Sequence, residues 1–356
     1  MKNLSETEIG APHTNYSFLY DWLQSPLHET IKQMIHRKDI DHLLKSNPSF
    51  KDQLIENVQI KLKDAFFSKS DSTYYEIHST LYQLYNLQIC EPLSSEAINQ
   101  HQPIFYEIRN KIEDYWLNFL NLDFIYNSEL LDKKISDLIM ELCWDMSLSE
   151  HPLFNFLALE ATETQLFAFF NSDYELNIRF FDLLILALLN SPVTGRMEMI
   201  KNLWDESGKG NRKETHVNMF NDLIEHFNID NKALIQQHDT WQKLAGYNLF
   251  MLASLNRKNY YVLLGIMAAT EIIDPQSYLK VQQACKRHNM SNWLYRYYSE
   301  HSEIDVEHAK GWLTYVIEPI VAENDVKRDV LLGAYLRLKT CNDYYDSLYK
   351  YLKTIV

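Results

Sequence analysis

Apolar residues recur at intervals of three and four along almost the whole chain, the signature of helices that bury one face. Phe18, Leu19, Trp22 and Leu23 form the first such stripe, followed by Ile31, Met34 and Ile35, and then by Leu54, Val58, Leu62 and Phe66. The same spacing runs through Tyr74 to Leu87, Ile104 to Leu120 and Leu130 to Met146, with polar breaks at Ser68-Lys69-Ser70-Asp71 and Pro92-Leu93-Ser94-Ser95. Breaks this short predict antiparallel helical neighbours. No sequence repeat of fixed period and no low-complexity tract interrupts the pattern.

The character of the helices changes near the segment Ser147-Leu148-Ser149-Glu150-His151-Pro152, beyond which they become longer and more apolar. A domain boundary is expected there, dividing residues 1–146 from residues 147–356. In the second part the pattern predicts helices over about Thr164–Asn190, Gly195–Ser207, Lys213–Phe227, Thr240–Asn256 and Tyr260–Ile273. Asp274-Pro275 reads as the start of a new helix, with Asp as N-cap and Pro in the first turn, reaching about Lys286. Further helices are expected from Ser291 to Val321 and from Asp325 to the end.

Composition narrows the fold class to all-α. Only 8 glycines occur among 356 residues, too few for the turns of a β-sandwich, barrel or propeller, and neither a dinucleotide-binding nor a Walker-type glycine motif is present. A net charge of −14 would repel a phosphate backbone, so no nucleic-acid partner is expected. The most apolar stretch, Phe180 to Leu189, contains Asp182 and is far shorter than the ~20 residues of a membrane span, so no membrane partner is expected either. The polar opening from Met1 to Gly10 does not resemble a secretory leader, and Cys90, Cys143, Cys285 and Cys341 show no C-x-x-C spacing. A cytoplasmic protein with reduced thiols is the expectation.

Three local patterns carry chemistry. His301, Asp305 and His308 form H-x3-D-x2-H, which on a helix puts two imidazoles and a carboxylate on one face, a donor set for a borderline metal such as Fe(II) or Zn(II). The same spacing also suits a solvated helix face, and Ser302 with Asp305 would fit a capping box that leaves His301 outside the helix. Glu206 and His216 flank Ser207-Gly208-Lys209-Gly210. An unbroken helix would hold them ~15 Å apart, too far to serve metals about 3.5–4 Å apart, but two glycines allow the chain to turn and the side chains to converge. An ordinary glycine C-cap is the alternative. Glu271 lies in the nearly apolar run from Leu263 to Ile273, where a carboxylate must be paired, ligate a metal or sit on a polar edge. Glu175 is an acid on the heavily apolar helix before these, with Glu160 and Asp173 as rivals for the same role.

In this order, L-W-D-E-S-G-K-G-N-x4-H from Leu203 to His216, Glu271 and then H-x3-D-x2-H resemble the heme-oxygenase-like diiron oxidases and oxygenases, also called iron-containing redox enzymes. The resemblance covers roughly residues 150–356. It implies a heme-oxygenase-like helical bundle, with the N-terminal helical region as a dimerising extension and the protein as a homodimer. It also implies a metal-ligand set of Glu175, Glu206, His216, Glu271, His301, Asp305 and His308, holding two Fe ions with O2 as co-substrate. The expected activity is oxygenation of an amine or guanidine nitrogen, or oxidative C–C cleavage of an amino or fatty acid, in a biosynthetic role and with an electron donor that the sequence does not identify. The two Glu-x-x-His motifs of ferritin-like diiron bundles are absent. A metal-free relative on the same scaffold, thiaminase-like or a cofactor-ring oxidase, and a non-enzymatic helical interaction protein are the alternatives.

Overall fold

The computed structural model describes residues 17–127, 130–227 and 238–355. All regular elements among them are helical, as the pattern of apolar positions requires. None of these helices is long and apolar enough to cross a membrane.

Packing divides the chain into two compact units, residues 1–112 and 113–356. The first contains α1 (Phe18–Gln24), α2 (Leu27–Ile35), α3 (Ile40–Ser46), α4 (Pro48–Lys63) and α5 (Asp71–Gln88). Its core is built from the stripes seen in the sequence: Leu27, Ile31 and Met34, Leu54, Val58 and Leu62, and Ile77 and Leu81 are all 0% exposed. Between α4 and α5 the chain reverses through a left-handed Lys69, and the Ser70 hydroxyl caps α5 by accepting from the Thr73 amide. Helix α6 (Pro103–Asn121) runs through the division between the units.

The second unit continues with α7 (Ile135–Met146), α8 (Pro152–Leu159), α9 (Glu163–Leu188), α10 (Val193–Glu206), α11 (His216–Phe227) and α12 (Trp241–Leu255). It closes with α13 (Tyr260–Arg287), α14 (Arg296–Gly311), the short α15 (Glu318–Glu323) and α16 (Lys327–Leu352). Because α7 packs on α13 and α16, it belongs to this unit, and the division falls ahead of the serine-bearing segment where the composition changes. That segment also hides a helix missing from the sequence reading: Pro152 opens α8, whose Leu153 amide donates to His151 Nδ1 at 3.2 Å.

Helix α13 is the centre of the unit, packed against α16, α14 and α8. Its approach to α16 is as close as two backbones allow. A Cβ on Gly265 would lie 1.9 Å from the Val330 carbonyl oxygen, and one on Gly333 would lie 2.0 Å from that of Val262. The expected break at Asp274-Pro275 does not occur, and α13 is a single helix of 28 residues with Pro275 inside it. Burial along both halves, from Leu263 to Ala269 and again at Val281, Ala284 and Cys285, outweighs the local start signal. Proline still removes one rung of the helix: with no N–H at Pro275, the carbonyl of Glu271 loses its usual i+4 donor. Helix α14 is likewise continuous through Ser302, so His301 stands inside it and no capping box forms.

Candidate metal centre

Helix α10 ends at Glu206, and the chain turns back through Gly208 (φ 68°), Lys209 (φ 53°) and Gly210 (φ 86°). A Cβ at Gly208 would sit 2.4 Å from the Glu214 carbonyl carbon, so the tight turn is closed to any other residue. Helix α11 then begins at His216, which brings its Nδ1 within 2.8 Å of Glu206 Oε2. His301 completes this group: its Nε2 is 3.6 Å from Glu206 Oε1, and its ring centroid is 4.2 Å from that of His216. The other ring nitrogen of His301 faces the Tyr297 carbonyl oxygen at 2.8 Å, which fixes the ring and leaves Nε2 for the group.

Two further turns along α14 a second group forms from Asp305, His308 and Glu271 of α13. His308 Nδ1 lies 3.4 Å from Asp305 Oδ1 and 3.5 Å from Glu271 Oε2. Its Nε2 pairs with Asp205 Oδ2 at 2.9 Å, and Asn202 Nδ2 donates to Glu271 Oε1 at 3.1 Å. In each group, one nitrogen or oxygen from every member lies within 4.8 Å of the others. All six residues are at most 6% exposed. Glu206, Glu271, His301 and Asp305 line one cavity, so the two groups are neighbours.

The electrostatics of this cluster are those of carboxylates in need of positive charge. Burial pushes the Glu206 carboxyl up, but His216 and His301 outweigh it and hold it well below the ordinary carboxylate range. Burial opposes charge on His216, yet Glu206 and Glu300 raise it to about 10. His308 is raised to about 11 against its burial by Asp305, Glu271 and Asp205. His301 is also raised, burial being outweighed by Asp305 and Glu206 although His216 opposes its charging. Glu271, unlike Glu206, is pushed up by burial and by the neighbouring Asp305. The 2.8 Å approach of His216 to Glu206 is an ion contact without hydrogen-bond alignment, for neither ring nitrogen of this 1%-exposed histidine has a hydrogen-bond partner. A buried imidazole in that condition, beside carboxylates, is suited to donate a lone pair to a cation. The donor set, three imidazoles and three carboxylates in two buried groups, therefore fits a pair of first-row metal ions.

Six of the seven residues singled out in the sequence come together here, and Glu175 does not. Asp173, Asn177 and Phe180 are among the α9 residues lining the cavity shared by the two groups, whereas Glu175 lines a neighbouring cavity with Lys243 and Tyr247. Asp173 lines both cavities and Glu175 only the second, as two helix positions about 200° apart in rotation allow. The α9 carboxylate next to the cluster is Asp173, held by a 3.0 Å hydrogen bond from Asn177. Asp205, Asn202 and Glu300 were not visible as site residues in the sequence. Asp205 had a signal in standing beside Glu206, and Asn202 lies one helical turn before it; Glu300, 3.8 Å from His216 Nε2, had none.

The shared cavity measures about 40 Å³, room for roughly three water positions. Asp274 also lines it, and burial pushes that carboxyl up to about 8 despite the opposing charge of Arg337. Cys285, by contrast, is a buried helix residue whose thiol burial pushes up to about 12.

The family described as iron-containing redox enzyme matches residues 168–341. The matched span runs from α9 into α16 and includes all six residues of the two groups, together with Asp173 and Glu175. Among curated proteins the chain has no match.

Proposed function

We propose that this chain, matched over residues 168–341 by the iron-containing redox enzyme family, is a non-heme diiron enzyme that uses O2 to oxidise a small molecule. The observation that carries this reading is the pair of buried groups side by side. Glu206, His216 and His301 would hold one ion, and Glu271, Asp305 and His308 the other. Asp173 is the α9 carboxylate placed to join them, in preference to Glu175. Ferrous ions bound there would supply the electrons for O2 reduction, with an external donor restoring them between turnovers.

The chain's own residues do the rest. The Tyr297 carbonyl and Asp205 each anchor one nitrogen of a histidine, so that the opposite nitrogen of His301 and of His308 is directed at the carboxylates. Asn202 steadies Glu271 by one oxygen and leaves the other toward His308. Tyr278, Tyr297 and Tyr345 line the shared cavity, where their rings would limit the water reaching a reactive oxidising site. Substrate oxidation at a nitrogen, or oxidative C–C cleavage of an amino or fatty acid, is the chemistry proposed for this cavity, whose lining joins the acids Asp173 and Asp274 to Phe154, Phe169 and Phe180. The buried, high-pKa thiol of Cys285 does not favour a thiaminase-like hydrolase. A homodimer built on the N-terminal helices is part of the same proposal.

The test is metal stoichiometry on protein loaded anaerobically with Fe(II), followed by O2 uptake. Near two irons per chain is expected, falling to one or fewer in His301→Ala and Asp305→Ala while circular dichroism stays helical. Undiminished iron in both variants, or loaded protein that consumes no O2 with reductant and candidate substrates present, would refute the reading.

A further inference from the structure

Among the described residues, every buried glycine but one has a local reason to be glycine. At Gly265 and Gly333 an opposing backbone leaves no room for a Cβ, at Gly195 the Val316 side chain lies 3.1 Å from where one would stand, and at Gly311 the Glu198 carboxyl fills the place. Gly208 has a positive φ. Gly246 is buried in the middle of α12 without a positive φ, and nothing lies within 4 Å of an added Cβ. Glycine at such a position weakens the helix and leaves interior space unfilled, two costs that a larger apolar residue would remove. Packing within α12 therefore gives no reason for it.

The space beside Gly246 is the neighbouring cavity that Glu175, Lys243 and Tyr247 also line. It measures about 30 Å³, room for roughly two water positions. Asp173, Leu176 and Arg337 border both this cavity and that of the metal centre, while Glu175 and Lys243 are partly exposed, so the space reaches toward solvent as well as toward the metal groups. Its hydroxyls are turned into bonds of their own. Tyr344 Oη donates to Ser172 Oγ at 2.8 Å, Ser172 Oγ meets His238 Nδ1 at 2.9 Å, and Thr340 Oγ1 donates to the Leu336 and Arg337 carbonyl oxygens, both at 3.0 Å. What remains facing the void is mostly carbon, from residues such as Leu176 and Leu244.

We propose that this second cavity is the passage by which O2 reaches the metal centre, and that Gly246 keeps it open. A diatomic, apolar molecule fits a small space with a mainly apolar wall, whereas an organic substrate of several heavy atoms does not. Rotamer changes at the shared wall join the two cavities for a molecule of that size. The traffic assigned to the passage rests on the diiron reading; a cavity open to an apolar gas stands without iron.

The experiment uses the full chain and begins metal-free, with methyl NMR spectra recorded under xenon pressure. Leu176 and Leu244 methyl resonances are expected to shift with xenon in the wild type and to lose that response in Gly246→Leu, whose side chain fills the space. The iron-loaded variant should keep near two irons per chain and its kcat at saturating O2, while KM for O2 rises by roughly threefold or more. Should Gly246→Leu fail to fold, Gly246→Ala, whose methyl meets no neighbour, takes its place with a smaller change in the same direction. No xenon response in the wild type, or a response undiminished in the variant, overturns the proposal. An unchanged KM for O2 in a variant that excludes xenon also overturns it and leaves the diiron reading intact. Wild-type protein that admits xenon but, loaded with iron, consumes no O2 refutes the diiron reading and the passage with it.

Discussion

Binding of metal should expel protons, and the structure says from which groups. In the metal-free protein His216 is raised to about 10 and His308 to about 11, one in each group. At pH 7 both are imidazolium ions paired with carboxylates, and a metal can take either nitrogen only after its proton has left. Removing a proton from His216 at pH 7 costs (10 − 7) × ~1.4, or about 4 kcal/mol, and somewhat more for His308. Each site should therefore gain at least about tenfold in apparent affinity per pH unit across neutrality, with at least about one proton released per metal bound and the raised His301 and Glu271 able to add to the count. Zn(II), redox-silent and with similar ligand preferences, serves as the probe, titrated at pH 6, 7 and 8 in buffers of differing ionisation enthalpy. Calorimetry gives the proton count and the pH series gives the slope. Affinity independent of pH with no proton released would show that the rings are neutral before metal arrives, and the reasoning would fail. The sign for metal-free stability follows from the same groups. A raised His216 stabilises fully below about 6.5 and loses that contribution as pH climbs through about 10, whereas the lowered Glu206 stabilises above about 4.5 and loses it on acidification.

Asp205→Asn, which keeps the shape beside His308 but removes the charge, should lower metal affinity at the Glu271 group by about 10–100-fold and leave the Glu206 group unaffected; competition with a chelator measures both. The turn from Glu206 to His216 should exchange amide hydrogens faster without metal than with it, because ligation ties together two helix ends otherwise joined by a glycine-rich turn; equal exchange in both states would contradict this. Gly265→Ala places a methyl 1.9 Å from a carbonyl oxygen and should destabilise by about 1–3 kcal/mol or more, read as a melting-temperature loss of several degrees. A Gly246→Ala control, where nothing lies within 4 Å of an added Cβ, should not share that loss.

The helical architecture was legible because a helix that buries one face must repeat its apolar residues every three to four positions, and Leu54, Val58 and Leu62 do so without ambiguity. Six candidate ligands were legible for a similar reason: a helix turns His301, Asp305 and His308 to one side, and a glycine pair permits only a few geometries between Glu206 and His216. Where reading failed, long-range packing had overruled a local signal. Asp274-Pro275 has the chemistry of a helix start, but α13 is clasped by neighbours on both sides of it and continues. Glu175 lies outside the shared cavity that Asp173 lines, and an apolar helix with acids at 173 and 175 does not reveal from sequence alone which of them stands there. Asp205 and Asn202 act through hydrogen bonds that exist only after α10 meets α13 and α14.

Pro275 gives α13 a mechanical property that an unbroken ladder lacks. The missing rung starts at Glu271, the residue through which α13 reaches His308, and both flanking stretches are clamped. Gly265 is locked against α16 on one side, and Gln282 on the other donates to Ser302 Oγ at 2.7 Å and to the Tyr298 carbonyl oxygen. A helix fixed at both ends and relieved of one bond between them resists bending less at that turn than elsewhere. The carboxylate of Glu271 is therefore carried on the least braced turn of α13, whereas His301, Asp305 and His308 stand on an unbroken stretch of α14.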